Sequence, residues 1–298
     1  MSTPPAIFDA TALAQRMARA ARLSASTSRP AADFLLQRVA VDFSERLGAI
    51  NRTFGAAIDL GCHNGVLGRT LVADHGLVRL TSAGSSAELL ALADAPQVLV
   101  DLERLPFAQA SADLIVSGLA LQTVNDLPGT LLQICAALKP DGLFLGALAG
   151  GRTLMELREA LLVAETVLRG GASPRVAPMI DVRDLGTLLQ RAGFALPVVD
   201  SDVVVVTYAH PLALMHDLRA MGATNILRER RRGSMRRDVL ARAIAVYQER
   251  FANGDGRIRA TFEILTATAW APHESQQKPL MPGTAKTRLA DALKVRPK

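Results

Sequence analysis

Aromatic side chains are scarce in this chain of 298 residues. Phe, Trp and Tyr together make up 4%, with a single Trp and two Tyr. A core must therefore be filled by Ala, Val and Leu, and a hydrophobic content of 49% supplies enough of them. Cysteine is scarcer still. Cys62 and Cys135 exclude a disulfide framework and suit a reducing, cytoplasmic setting. No apolar run approaches the ~18 residues of a membrane span, because charges or glycines interrupt each candidate. The N-terminal stretch lacks the charged, apolar, then small-residue order of a secretory signal, and reads as a solvated helix. The histidines are scattered. His210 and His216 are six apart, which is no helical metal spacing.

Positive charge is present but uneven. The net charge is +6, and the segment Arg228 to Arg237, RERRRGSMRR, holds six arginines against one acid. The segment suits a solvated loop or a docking patch for an acidic partner. With no aromatics interleaved, nucleic acid is an unlikely partner.

From 31 to 150 the chain alternates helical and strand patterns. Helix 31–48 precedes strand 55–61. Helix 67–76, strand 77–84, a short Ser-capped helix, strands 96–101 and 112–118, helix 127–142 and strand 143–150 follow. This order predicts a parallel sheet covered on both faces. Beyond 150 come long helices and two further strands, 202–209 and 257–271, the last able to run antiparallel. The expected division is an N-terminal extension over 1–30, a domain over 31–271 with a helical cover mainly at 151–254, and an extended tail over 272–298.

Ligands of such sheets bind at the carboxyl ends of the strands. The first strand ends in AIDLGCHNG, residues 57–65. Gly61 and Gly65 let the backbone approach a ligand closely and open the next helix toward an anionic group. The third strand ends at Asp101-Leu102. Asp101 suits either a hydrogen bond to an exocyclic amine or a turn cap, and Leu102 can lie against a flat ring. Tyr208 and Arg219 are candidate substrate-facing groups.

AIDLGCHNG, VDLERLPFAQASADLIVSGLALQTVNDLP and LKPDGLFLGAL resemble the successive motifs of class I S-adenosylmethionine (SAM)-dependent methyltransferases. The run from Val124 to Glu165, with DVRDLGTLLQRAGF, LMHDLRAMGATN and WAPHESQ, is similar to the mitochondrial complex I assembly factors that hydroxylate an arginine of a complex I subunit. That family is related to the malonyl-carrier-protein methyltransferases of biotin synthesis. The resemblance spans roughly 7 to 282. It implies an α/β, Rossmann-like fold with a seven-stranded, mostly parallel sheet, and a SAM site. Asp59, Gly61, Cys62, His63 and Gly65 would form the methionine-end turn. Gly84 and Ser85 would stand beside the ribose, Asp101 and Leu102 by the adenine, and Ser117, Gly118 and Leu119 on the pocket floor. The implied acceptor is a protein, such as a complex I subunit, or a carrier-bound substrate.

The chain departs from that pattern at three places. His63 replaces a motif glycine. No carboxylate lies between Asp74 and Glu88, where the ribose acid is expected and Gly84 stands. Gln122-Thr123 replaces His-Trp. Two readings follow: a SAM-using enzyme with weakened affinity, or a non-catalytic assembly protein on a degenerate scaffold.

Overall fold

The computed structural model describes residues 6–25, 32–77, 79–94 and 96–277. Most of the expected tail, 278–298, lies outside the described residues. Seven strands form one sheet: β1 (Ala57–Leu60), β2 (Leu80–Gly84), β3 (Gln97–Leu99), β4 (Ala112–Gly118), β5 (Leu138–Ala149), β6 (Ala195–Tyr208) and β7 (Ile258–Trp270). Their order is β3-β2-β1-β4-β5-β7-β6. The first five are parallel, and β7 pairs antiparallel with both β5 and β6. The chain reverses strand order between β1 and β4, so their carboxyl ends open a crevice there.

The helices are α1 (Ala10–Ala25), α2 (Phe34–Gly48), α3 (Val66–His75), α4 (Ala87–Leu90), α5 (Leu127–Ala137), α6 (Met155–Arg169), α7 (Val182–Arg191), α8 (Pro211–Ala220) and α9 (Arg237–Phe251). Their starts follow local chemistry. Asp126 accepts from the Gly129 amide at 2.9 Å with Pro128 in the first turn, and Asp181 accepts from the Asp184 amide at 2.8 Å. Gly76 and Gly170 close α3 and α6 in the left-handed conformation. Sequence periodicity places these helices well. It shortens β5 and β6: residues 138–142, placed at the end of the preceding helix, and 195–201, ahead of the expected strand, extend them as irregular edges.

Each face of the sheet has its own core. Leu60, Ile115, Phe144 and Leu148 pack beneath α5 and α7 on one side. Leu114, Leu143 and Leu145 meet Phe43 and Leu71 from α2 and α3 on the other. A third cluster, around Tyr247, Leu214 and Phe262, joins α6, α8 and α9 to the far end of the sheet. With so few aromatics, each one carries much of its layer. Phe144 is fully buried and stacks on Phe194 with ring centroids 5.6 Å apart. Phe144→Ala is expected to cost about 3–5 kcal/mol, read as a lower urea midpoint at unchanged slope.

Candidate functional site

A cavity of 370 Å³ opens where β1, β2 and β4 end. Gly61 forms its base. At φ 79° it is in the left-handed region, and a β-carbon there would sit 2.2 Å from the Ala120 methyl. Only glycine lets the two turns press together. The Gly61 and Cys62 amides both donate to the Ala83 carbonyl, at 2.6 and 3.2 Å, which ties the turn to β2.

Six of the twelve residues singled out in the sequence line this cavity: Gly61, His63, Gly84, Ser85, Leu102 and Leu119. The other six are placed around or behind it. Asp59 and Ser117 are fully buried in β1 and β4 under the turn. Cys62 is buried behind it, and burial pushes its thiol up to about 12, so it is inert. Gly65 caps α3, and Gly118 faces Leu36, Val39 and Leu67 on α2 and α3. Asp101 is exposed beside the lining residue Leu102, and its Oδ1 accepts from the Glu103 amide at 2.9 Å, so it caps a turn with its second oxygen facing solvent. Tyr208 packs into the third core cluster, and Arg219 is exposed on α8.

The three departures have physical explanations. His63 sits at φ 39°, a strained value for a residue with a β-carbon, and its ring is held by a bond from Nε2 to the Leu119 carbonyl at 3.2 Å. Burial lowers its pKa below the usual imidazole value, so the ring is neutral. Gln122 Nε2 donates to the same carbonyl at 2.6 Å. The two substitutions are therefore coupled: together they clamp Leu119, itself at φ 53°. At Gly84 an added β-carbon would stand 3.3 Å from Cys62 Sγ and 3.4 Å from Leu90, so a side chain there requires a neighbour to give by a few tenths of an ångström, and Ser85 is exposed at the cavity edge.

Sequence reasoning missed the roof. The helix read as solvated is α1, which buries Ala12, Ala20 and Ala21 and turns Leu13 and Met17 into the cavity. Its alternating alanines carried that signal, but their low hydropathy hid it. Phe8 bridges antiparallel to Leu227, and its amide donates to Asn125 Oδ1 at 2.7 Å, so the start of α1 is strapped across the mouth. Met179, Met215, Met221 and Met235 complete the apolar wall. Arg175 supplies the only formal charge among the described lining residues, and the buried Glu165 binds it.

The strand order, the glycine turn and the cavity above it define a Rossmann-like methyltransferase scaffold. Residues 34–197 match the methyltransferase-domain family. The chain is 40% identical over 272 residues to the arginine-hydroxylase NDUFAF5, mitochondrial, of Danio rerio, covering 88% of this chain and 83% of that one. It is 34% identical over 271 residues to the malonyl-[acyl-carrier protein] O-methyltransferase of a Methylovorus species, covering 85% and 89%. The YcgJ protein of Bacillus subtilis shares the fold, with a TM-score of 0.56 at 13% identity over 79% of this chain and 99% of that one. The chain belongs to the methyltransferase-domain family and, within it, to the group that holds the NDUFAF5 arginine-hydroxylases and the malonyl-carrier O-methyltransferases.

These relatives overturn the cytoplasmic placement. The NDUFAF5 proteins of fish, mouse and human are mitochondrial by name. Few cysteines signal a reducing compartment without saying which one.

Two outcomes are expected. Burial pushes the Asp59 carboxyl up to about 7, above its ordinary 3.8, with the Gly68 amide pulling the other way. The folded state thus holds a proton that the unfolded chain releases. Stability should fall as pH rises from about 4 to about 7, and Asp59→Asn should flatten that slope in pH-dependent urea melts. In a double-mutant cycle, His63→Ala and Gln122→Ala should couple by about 0.5–3 kcal/mol through Leu119; strict additivity would contradict the clamp.

Proposed function

We propose that this chain binds SAM at the Gly61 end of the cavity and acts, as a methyltransferase-like protein, on a protein or carrier-bound substrate in the setting of respiratory complex I assembly. The observation that carries this reading is the polar chemistry left open beside the glycine turn. Gln122 Oε1, on the cavity lining, and Ser117 Oγ, beneath the turn, are buried with no partner among the described residues. A buried acceptor without a donor is costly, and an ammonium group arriving over Gly61 would satisfy Gln122. Leu102 offers an apolar face for a flat ring, and Ser85 a hydroxyl at the edge for a sugar.

The residues present therefore fit the group, with one interaction missing. Bound SAM supplies a methyl group on a sulfonium centre. The chain contributes alignment and exclusion of water: α1 roofs the site and the methionine wall keeps it apolar. The proposed contacts are Gly61, His63, Gly84, Ser85, Leu102 and Leu119, with Asp59, Cys62, Gly65, Ser117 and Gly118 holding the turn in place.

A second reading is a non-catalytic assembly protein that uses the cavity only to hold a ligand. His63 favours it, since its side chain stands where the ligand's closest backbone approach would fall. Calorimetric titration separates the two. The first reading predicts measurable SAM binding, tightened about tenfold by Ser85→Asp, which restores a charged acceptor at the edge. No heat at millimolar SAM in either protein would reject it.

A further inference from the structure

Helix α1 carries Arg16, Arg19 and Arg22, spaced three residues apart and so gathered on one side of the helix, with Arg16 and Arg19 half-buried and Arg22 exposed. Helix α1 packs against the end of α8, where a β-carbon on Gly222 would meet Met17 Sδ at 2.9 Å, and α8 brings Arg219 to the same seam. Among the described residues none of these four arginines has a carboxylate within ion-pair distance. Arg19 Nη2 instead donates to Thr224 Oγ1 at 3.0 Å, and Thr224 lines the cavity. The Nε atoms of Arg16 and Arg19 are buried with no partner among the described residues. Desolvation, then the charges of Arg219, Arg16 and Arg22, lowers the pKa of the Arg19 guanidinium. A fold gains nothing from holding like charges together, two of them partly buried with a free donor each. An oxyanion would satisfy all of these conditions at once.

We propose that the seam between α1 and α8 is a phosphate-binding site at the rim of the cavity, which holds the phosphate of a ligand whose flexible, acyl-bearing arm enters between the methionines. This rests on the reading of a carrier-bound substrate, because a carrier's acyl group hangs on a phosphodiester-linked arm. The neighbouring arginines of the 228–237 segment extend the positive field. Its Arg230 pairs with Asp9, just ahead of α1, and its Met235 lines the cavity. Steering toward the mouth therefore comes from both elements that frame it. The same phosphate chemistry is offered by an anionic lipid surface, and the test separates these sources.

Equilibrium dialysis of the full chain, without SAM, would compare phosphopantetheine with pantetheine. Flotation would compare phosphatidylglycerol with phosphatidylcholine vesicles. The site predicts at least tenfold tighter binding of the phosphorylated arm, abolished in Arg16→Gln/Arg19→Gln and partly kept in Arg16→Lys/Arg19→Lys. The glutamine variant relieves repulsion, so its melting temperature should be equal or higher. Vesicle binding alone, lost in the same variant, would place the site's phosphate in a lipid headgroup. The proposal is overturned by equal binding of the two arms with no vesicle preference, by a preference that survives in the glutamine variant, or by a clear drop in that variant's melting temperature. Since SAM is not used, failure here leaves the SAM reading standing, and failure of SAM binding leaves this result interpretable.

Discussion

The site is organised by one steric constraint: the turn after β1 and the turn after β4 touch, with room at Gly61 for a hydrogen and nothing more. A β-carbon there would fall 2.2 Å from the Ala120 methyl. This contact fixes the distance between the crevice walls and brings Leu119, Gln122 and His63 above the strand ends. It also seals Asp59 and Ser117 beneath them, so the polar atoms under the turn are isolated from solvent. Desolvation of that kind makes an unpaired acceptor costly and a matching ligand strongly bound.

Around that contact the chain has replaced one way of shaping the turn with another. Where relatives of this fold use glycine, His63 accepts backbone strain and donates to the Leu119 carbonyl; Gln122 donates to the same atom from the other side. The pair holds the floor, and with Gly84 in place of an acid the sugar side of the cavity carries no carboxylate among the described lining residues. The cavity is correspondingly apolar, roofed by α1 and walled by methionines, whose flexible thioethers adapt to irregular shapes. Charge is kept to its rim and to one arginine bound by a buried glutamate.

Much of this was legible in the sequence, for identifiable reasons. Alternating strand and helix periods between 31 and 150 dictate a parallel sheet, and Asp-x-Gly after the first strand marks the turn. The last strand was readable as a strand able to run antiparallel, and it does so against both of its neighbours. What could not be read depends on tertiary geometry. Asp101 suits a ligand acceptor or a turn cap in its motif, and the structure has the cap, with its second oxygen facing solvent. The role of α1 was hidden because its inward residues are mostly alanine. The methionine wall draws on α1, α8 and two loops far apart in sequence. The link between His63 and Gln122, 59 positions apart, exists only through a shared carbonyl. The cytoplasmic expectation failed because composition reports redox state, not address.

The most direct test of the account is a crystal structure of the full chain soaked with S-adenosylhomocysteine. The account predicts the ligand over Gly61, its ammonium on Gln122 Oε1, its purine against Leu102, and Asp101 left facing solvent. A ligand found elsewhere, or a cavity closed by α1 with Gln122 turned away from it at saturating ligand, would contradict it.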